Sequence, residues 1–472
     1  MLAWLLGAVS LAVYLVLRQR SFYGADGFFL EHSLRADSFT NTSHEAFLPL
    51  LHAFAAAVAW TGIPAHAVLT SLSALGTAMG VILTLRTVHL VVGDRARATA
   101  AAALVAATPA VLFFATAVEY HGCFFAFAQL ALLAAAAFAK RPSRARAVAL
   151  GLAMAVATSV HTSGWFLPLV LVPFVAAQVG RGGVASAAAA LRASRRGCVV
   201  ALAVFVLAEL TVTWGARRAG IGVPPPFGID YVWSHLGSVA VPRLLQVPRT
   251  LLFEWVLPFA PLSLVALLLV RSTTAATTAR AALLGVVLYC VPAAEILAGE
   301  IWERGAYLLP CVGPVAVAAA QALRARTLLL LALFGGAFGV AQVVFQERLT
   351  DEYATVAAWA CDAAAGARPV LLVAEPVDWG AAVVHAGRLD HVQLESWKVR
   401  AGVSGDAEIG EAIRAWLRAE SGLQHAPLVS ARALAALARS ADGRKLAHAL
   451  RSAGHLEPVA AAGIEGFRLR PW

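Results

Sequence analysis

The sequence predicts an all-α polytopic membrane protein that ends in a small α/β domain. Of its 472 residues, 60% are hydrophobic and only 14% are charged, and the mean hydropathy is +0.74. Soluble globular chains rarely have such a composition, whereas long apolar runs are typical of membrane-spanning helices. After residue 346 the apolar runs shorten and charged residues return to ordinary density. We therefore predict a multi-pass membrane domain over 1–346 and a soluble domain over 347–472.

About eleven apolar segments are candidate transmembrane helices, since a helix needs about 20 mostly apolar residues to cross the hydrocarbon core. They cover roughly residues 2–17, 66–89, 98–117, 122–139, 147–160, 163–180, 198–215, 251–270, 281–299, 306–323 and 327–346. The first segment lacks a preceding basic region and a small-residue cleavage site, so we interpret it as a retained helix and not as a signal peptide.

The connections between these segments alternate in charge, which predicts how the chain is oriented. Arginine and lysine follow every second segment, as at 140–146, whereas the connections at 118–122 and 160–163 contain neither. Cytoplasmic loops are enriched in these residues. The connections that carry Glu119 and His161, and everything after residue 346, are therefore predicted to be extracytoplasmic. No basic stretch is interleaved with aromatic residues, which argues against nucleic-acid binding in spite of the net charge of +10.

The first sixty residues leave two arrangements open. Residues 44–61 are predicted to be helical, but at about 1.5 Å per residue they reach only roughly 25 Å, short of a ~30 Å hydrocarbon core. If this helix lies along the membrane surface, or half-buried among the spans, Asp26 is extracytoplasmic and the chain has eleven spans. If it crosses, Asp26 is cytoplasmic and the chain has twelve. Arg18, Arg20 and Arg35 favour the second arrangement by charge alone.

The last part of the chain alternates between strand and helix patterns. Residues 369–374 and 390–394 have the composition of strands. Residues 408–419 predict an amphipathic helix with Ile409 and Ile413 on its apolar face. This alternation is typical of a small α/β domain. It contains no glycine-rich phosphate loop, so we assign it no chemistry.

Several polar side chains fall next to apolar segments, where an ionisable group is costly and is therefore a functional candidate. A carboxylate such as Asp26 or Glu119 can act as general base on an acceptor hydroxyl. A second acid together with histidines can hold a divalent cation or orient the first acid. An arginine complements phosphate through bidentate hydrogen bonds. The residues concerned are Asp26, Glu119, His121, His161 and Arg304.

Each of these residues also has a purely structural interpretation. Asp26 could cap an interfacial helix, and Glu119 could lie at headgroup level at the end of a span. His161 could be a satisfied turn histidine, and Arg304 could anchor the interface beside Trp302. The functional interpretation requires the side chains to converge in one bundle, and sequence spacing alone does not show that.

Four places in the sequence resemble polyprenyl-phosphate-sugar-dependent membrane glycosyltransferases of the GT-C fold, especially the protein O-mannosyltransferase-like group (family 39 and its relatives). They are the segment 25–31 around Asp26, the segment 44–50 that opens with His44, the segment 117–121 around Glu119, and the pair 159–163 and 303–310. The resemblance covers roughly residues 1–346. It favours eleven spans, because in that fold the connection between the first and second spans forms juxtamembrane helices on the extracytoplasmic side. Two departures are Gly27, where a second acid is usual, and the absence of paired prolines after His44.

The resemblance implies an inverting transfer of a sugar from a polyprenyl-phosphate carrier to an acceptor outside the cytoplasm. Asp26 would be the general base, and Glu119, with His121, would support it or help to hold a cation. The metal itself is unknown; Asp26, Glu119 and His121 are its candidate ligands. The residues expected to contact substrate are His44, His121, His161 and Arg304.

Two other classes of protein compete with this interpretation. Eleven or twelve spans and an acid with histidines suit a proton- or ion-coupled transporter or flippase. Against it, the polar residues lie at span ends, and no pair of interrupted helices occupies matching positions in two halves. A noncatalytic scaffold that displays the C-terminal domain would tolerate alanine at Asp26 and Glu119.

Overall fold

The computed structural model describes most of the chain as helix. The described residues are 1–22, 24–35, 39, 44–179, 184–221, 247–272, 274–296, 304–385, 388–393, 406–439 and 441–471. The backbone of Asp26 belongs to a helix, but its side chain lies outside the described part. The chain divides into two compact units, the first made of Met1–Gln19 and Phe29–Val344, the second of Arg20–Phe28 and Phe345–Trp472.

The first unit consists of helices that follow one another along the chain. The α-helices up to Ala363 are α1 (Leu2–Val16), α2 (Gly24–Arg35), α3 (Phe47–Val58), α4 (Ala65–Val92), α5 (Arg95–Ala106), α6 (Pro109–Thr116), α7 (His121–Lys140), α8 (Arg144–Val160), α9 (Leu167–Val179), α10 (Val184–Arg218), α11 (Val247–Thr250), α12 (Leu262–Leu269), α13 (Ala276–Ile296), α14 (Val312–Ala322) and α15 (Ala325–Ala363). Ala59–Thr61, Thr162–Phe166 and Ala306–Cys311 are 3₁₀ segments, and Leu251–Val256 is a π-helical turn.

Several of these helices are long and apolar enough to cross a membrane, which confirms an integral membrane protein. Within the described residues there are five, namely Ala65–Val92, His121–Lys140, Thr162–Val179, Arg195–Arg218 and Ala325–Ala363. A sixth results if α5 and α6 are counted as one span, and four shorter apolar helices accompany them. The total of about eleven spans stays a prediction, as does the placement of α3 along the membrane surface.

The segment 98–117, predicted as one continuous span, is broken. The axes of α5 and α6 differ by 62°, and α6 starts at Pro109. A proline has no N–H to donate to the preceding turn and its ring clashes with a carbonyl there, so an uninterrupted helix is disfavoured at this point. Tyr14 of α1 donates its hydroxyl to the carbonyl of Ala106 at 2.9 Å, which satisfies one acceptor that the break exposes.

Helices α4 and α7 pack unusually close to each other, because glycine faces backbone along their contact. A Cβ atom on Gly76 would lie 2.8 Å from the backbone of Cys123, and one on Gly122 would lie 2.4 Å from the carbonyl oxygen of Ser73. Small residues permit this close approach between helices in a membrane. We call this contact between α4 and α7 the glycine seam. It fixes the start of α7, next to which two of the candidate site residues lie.

The second unit contains a five-stranded mixed sheet, which confirms the small C-terminal sheet predicted from the sequence. Its strands are β1 (Arg368–Val373), β2 (Asp390–Gln393), β3 (His425–Ser430), β4 (Gly454–Ala461) and β5 (Ile464–Pro471). The order is β2-β1-β3-β5-β4, with β1 parallel to β2 and β3, and with β5 antiparallel to β3 and β4. The helices of this unit after α15 are α16 (Pro376–Val384), α17 (Asp406–Gly422), α18 (Ala431–Leu437) and α19 (Ala441–Ala453).

The predicted amphipathic face of α17 forms part of the core of this unit. Ile409, Ile413 and Leu417 recur every four residues and are at most 1% exposed. They pack with Val429 of β3 and Leu450 of α19. Each such side chain contributes about 1.5–3 kcal/mol of burial free energy, so the sheet and its helices have a substantial hydrophobic core.

A buried carboxyl group lies where β1 and β3 end. Asp378 of α16 is fully buried and accepts a hydrogen bond from the Ser430 hydroxyl at the end of β3. Its backbone N–H donates to Glu375 at 3.1 Å, and Arg432 lies 4.0 Å from its carboxylate. Burial, together with the nearby charge of Glu375, raises the pKa of Asp378 to about 7.

Because this pKa is higher in the folded than in the unfolded chain, the folded state holds a proton that the unfolded state releases above about pH 4. The free energy of unfolding should therefore fall as pH rises from 5 to 8. Asp378→Asn is expected to remove most of this dependence and to stabilise the protein at pH 8 by up to roughly 2 kcal/mol. The measurement is the thermal midpoint of the full-length protein in detergent across this range. An unchanged slope in the variant would contradict the assignment.

Candidate functional site

The candidate site in the first unit begins where α6 gives way to α7. Glu119 stands in the short connection, and His121 is the first residue of α7. The hydroxyl of Ser73 on α4 donates to the backbone carbonyl of Glu119 at 2.6 Å. The side chains of Glu119 and His121 are 4% and 3% exposed, and His121 Nε2 lies 3.9 Å from Glu119 Oε2.

Two further histidines from distant parts of the sequence meet His121. The rings of His44 and His161 are stacked, with centroids 4.5 Å apart and an angle of 21° between their planes. The centroid of His161 lies 5.0 Å from that of His121. The structure thus brings together the three predicted histidines, which are separated by 77 and 40 residues of sequence. We refer to His44, His121 and His161 as the histidine cluster.

Two tyrosines border the histidine cluster. Tyr120, next to His121 in sequence, lies 4.4 Å from His44 and 4.9 Å from His161 between ring centroids. Tyr307 lies 5.7 Å from His161 and 5.9 Å from His121. Four segments of the chain therefore contribute rings to one site.

The hydrogen bonds of His44 and His161 specify neutral imidazoles. The backbone N–H of Thr162 donates to His44 Nδ1 at 3.3 Å, and that of Ser163 donates to His161 Nδ1 at 3.1 Å. A ring nitrogen that accepts a hydrogen bond carries no proton, so both rings hold their proton on Nε2. Burial lowers the pKa of His44 to about 3, which keeps this ring neutral at physiological pH.

Two ring nitrogens of the cluster are left to interact with something else. His161 Nε2 and His121 Nδ1 are buried and have no hydrogen-bond partner among the described residues. A buried polar atom of this kind is costly unless a ligand or water satisfies it. His161 Nε2–H is a donor in the tautomer assigned above, so it suits a hydroxyl or phosphate oxygen.

Aromatic rings connect Arg304 to the histidine cluster. Its guanidinium carbon lies 4.7 Å from the ring centroid of Phe113. Phe113 contacts Phe114 at 5.2 Å between centroids, and Phe114 contacts His121 at 5.1 Å. Arg304 is therefore connected to the histidine cluster by a continuous chain of ring contacts.

The backbone that carries Arg304 is held in an uncommon conformation. Arg304 and Gly305 both have positive φ, 47° and 85°. The carboxylate of Glu254 accepts a hydrogen bond from the Gly305 N–H at 2.7 Å. A Cβ atom on Gly305 would lie 2.5 Å from the ring of Phe259, so this turn needs glycine for its space as well as for its dihedral angles.

The predicted convergence of Asp26 with these groups stays a prediction, because its side chain lies outside the described residues. Within the part of the chain that the structure describes, no group of three or more His, Cys, Asp or Glu side chains is arranged to hold a metal ion.

Sequence reasoning missed two buried acids. Glu254 supports the turn of Arg304, and it stands inside the predicted span 251–270, where any carboxylate is a functional candidate. Glu209 lies in the middle of the predicted span 198–215, is 1% exposed, and accepts a hydrogen bond from the Ser159 hydroxyl at 3.0 Å. The same rule of costly intramembrane charge would have identified both.

Comparison with known proteins gives matches among solved structures. No protein-family model matches the chain, and no curated protein does. The crystal structure of ArnT from Cupriavidus metallidurans bound to undecaprenyl phosphate superposes with a TM-score of 0.55 at 15% identity, covering 98% of this chain and 97% of ArnT. An Archaeoglobus fulgidus oligosaccharyltransferase tethered to an acceptor peptide gives 0.47 at 13%, covering 100% and 74%. The arabinofuranosyltransferase AftD from Mycobacteria gives 0.43 at 15%, covering 98% and 41%.

The match to ArnT extends over nearly the whole of both chains, so it concerns the complete architecture and not one shared motif. At this level of identity it establishes the fold. The narrower likeness to the O-mannosyltransferase group stays a prediction. The chain has the GT-C fold of integral membrane glycosyltransferases.

Proposed function

We propose that this protein transfers a sugar from a polyprenyl-phosphate-linked donor to an acceptor at the extracytoplasmic face of the membrane. The observation that carries the proposal is the buried site of Glu119 and the histidine cluster, in a chain whose fold matches ArnT. The ArnT structure contains undecaprenyl phosphate, which supports a lipid phosphate as the leaving group here.

The reaction is a single displacement at the anomeric carbon of the donor sugar. The acceptor hydroxyl oxygen forms the new bond to this carbon, the bond from the carbon to the phosphate oxygen breaks, and the polyprenyl phosphate leaves with the electron pair. Asp26 removes the hydroxyl proton as general base. One attack on the face opposite the leaving group inverts the anomeric configuration.

The described residues suit the polar groups of such a donor. The Nε2–H of His161 is a buried donor without a protein partner among the described residues, and a sugar hydroxyl or phosphate oxygen would satisfy it. Glu119 lies beside His121, with 3.9 Å between Glu119 Oε2 and His121 Nε2. Arg304 supplies a guanidinium, a group that pairs with phosphate through bidentate hydrogen bonds. Among the described residues of the site, Arg304 is the candidate for compensating the leaving phosphate.

The location of these groups favours a transferase over a transporter. Glu119 lies just before α7 and His121 is its first residue, His161 lies directly after α8, and Arg304 lies two residues before a 3₁₀ segment. A proton relay through the membrane would need a series of such groups along the spans. Glu209 does lie inside a predicted span, but its hydrogen bond is to Ser159, next to the last residue of α8. Groups at helix ends instead suit chemistry near a membrane surface.

The test is transfer of label in proteoliposomes that contain the purified full-length protein, a series of labelled polyprenyl-phosphate sugars and a membrane extract as source of acceptor. We expect label to leave the lipid fraction with the wild type. We expect His161→Ala to lower the rate by on the order of tenfold to a hundredfold. This is the effect of losing a hydrogen bond to a charged or polar partner at a buried site. His455→Ala, at an exposed position on β4, is the matched control and should transfer normally. Retention of label on every lipid, together with uptake of free solute, would instead support the transporter.

A further inference from the structure

The second unit includes a short piece from near the start of the chain. Arg20–Phe28 belongs to the same compact unit as the C-terminal sheet. Asp26 lies in this piece, at the start of α2. The segment that carries the proposed general base therefore belongs to the same unit as the C-terminal domain, for which the sequence analysis predicted no chemistry.

Hydrogen bonds from α15 hold the backbone before Asp26. Glu347 accepts from the N–H groups of Arg20 at 2.5 Å and Ser21 at 3.4 Å. The Tyr353 hydroxyl accepts from the Phe22 N–H and donates to the Phe22 carbonyl, both at 3.3 Å. A tyrosine hydroxyl can do both at once. Tyr353 is 1% exposed, so water does not compete strongly for these bonds.

Aromatic packing holds the backbone after Asp26. The ring of Phe28 stacks on Trp379 of α16, with centroids 5.0 Å apart and an angle of 28°. The same ring lies 4.6 Å from Phe22. Phe22 and Phe28 are 2% and 1% exposed. The two phenylalanines flank Asp26 in sequence, and both are buried within this unit.

Helix α16 lies directly against the tyrosine that binds Phe22. A Cβ atom on Gly380 would lie 2.4 Å from the Tyr353 ring, so the glycine allows α16 and α15 to approach closely. Trp379 and Tyr353 thus form one support for Phe28 and Phe22, which we call the aromatic clamp.

We propose that the C-terminal domain positions Asp26 for catalysis, with Trp379 and Tyr353 of the aromatic clamp as positioning residues. The inference rests on the proposed function of Asp26 as general base. A base must lie within hydrogen-bond reach of the proton it removes. Misplacement by about 1 Å can cost on the order of a hundredfold in rate. The contacts of Phe22 and Phe28 restrain the backbone on both sides of Asp26.

The kinetic test compares variants of the full-length protein in the transfer assay. Trp379→Ala is expected to lower kcat by on the order of tenfold to a hundredfold, with little change in the KM for the donor, since Trp379 affects only where the base lies. Trp379→Phe keeps a ring against Phe28 and should restore most of kcat. Trp416→Ala is the matched control: it truncates a tryptophan that packs against the core of the same domain, and should leave kcat within a few-fold of wild type.

A second measurement does not depend on activity. A cysteine placed by Asp26→Cys, in a chain whose exposed Cys361 is replaced by serine, is labelled with a membrane-impermeant maleimide. Trp379→Ala should raise the labelling rate several-fold, and Trp416→Ala should not. Equal labelling rates in the two variants would contradict the proposal that Trp379 positions residue 26.

The two measurements separate the clamp from the proposed function. If Asp26→Asn is inactive but Trp379→Ala and Trp416→Ala have the same kcat, the positioning proposal is wrong and the assignment of Asp26 as general base is retained. If Asp26→Asn is fully active, that assignment is wrong, and the maleimide labelling rates alone decide whether the aromatic clamp restrains residue 26.

Discussion

Replacing Asp26 by asparagine is expected to lower kcat for sugar transfer by a factor of about 10²–10⁴, the share of rate that a general base commonly supplies. The amide has nearly the size of the carboxylate but cannot accept a proton at neutral pH. The acceptor hydroxyl would then have to attack without losing its proton to the enzyme. Binding of the donor should change little, so KM for the lipid-linked sugar should stay within a few-fold. Initial rates with the purified protein in proteoliposomes measure both constants.

The matched control for this variant is Asp351→Asn, which makes the same chemical change at an exposed position on α15. It should transfer at the wild-type rate. Detergent-solubilised Asp26→Asn should also keep the elution profile and thermal midpoint of the wild type. Wild-type activity in a correctly inserted Asp26→Asn protein would end its assignment as base.

Glu31 is not an equivalent candidate, although it follows Asp26 on the same helix. Its carboxylate is 3% exposed, accepts a hydrogen bond from Arg35 Nε at 2.9 Å, and lies 3.4 Å from His66 Nδ1. Burial alone would raise its pKa, but the hydrogen bonds and charges of His66 and Arg35 hold the pKa below the usual range. A carboxylate of low pKa that is already hydrogen-bonded is a poor proton acceptor, so Glu31 fixes α2 to the neighbouring α4.

Glu254→Ala is expected to weaken the donor interaction by on the order of tenfold to a hundredfold, seen mainly as a higher KM. The substitution removes the acceptor of the Gly305 N–H, and a hydrogen bond to a charged group contributes about 1.5–3 kcal/mol. The left-handed pair Arg304–Gly305 would then lose the bond that fixes its dihedral angles. Arg304 would be presented to the lipid phosphate in a wider range of positions. The KM for the donor in the transfer assay is the measurement.

Glu254→Gln provides the control, because the amide oxygen can still accept from Gly305. It should keep a KM near that of the wild type. If Glu254 acts through Arg304, the double variant Glu254→Ala with Arg304→Ala should be little worse than Arg304→Ala alone. Additive losses, or a glutamine variant as impaired as the alanine one, would show that the carboxylate has a separate role.

The sequence predicted those parts of the architecture that depend on local patterns of apolar residues. Apolar length predicted helices such as α4 and α7, and the four-residue spacing of Ile409, Ile413 and Leu417 predicted the buried face of α17. The break at Pro109 was missed because 98–117 was judged by hydropathy alone, although proline in a helix interior signals a kink. The inclusion of Arg20–Phe28 in the C-terminal unit was not predictable, since Phe22 and Tyr353 lie 331 residues apart.

For the candidate site, residue chemistry identified the members but not their arrangement. Glu119, His121 and His161 were chosen because polar groups near lipid are costly, and the structure places them together with His44. Their meeting depends on how three segments come together, the one before α3, the start of α7 and the end of α8, and no local pattern encodes that. Tyr307 lies in the segment 303–310 that carries the resemblance, but it was not named as a site residue, since an aromatic residue at a span end is typical of the membrane interface. Its contacts with two histidines become visible only in three dimensions.

The glycine seam between α4 and α7 has a consequence for how the site can adapt. A side chain at Gly76 or Gly122 would collide with the backbone of the facing helix, so the close contact holds the start of α7, with Glu119 and His121, against α4. The choice of lipid-linked sugar is then expected to depend on the other contributors to the site, His44, Tyr307 and Arg304. Sequence changes there should alter which sugar is accepted without disturbing the seam.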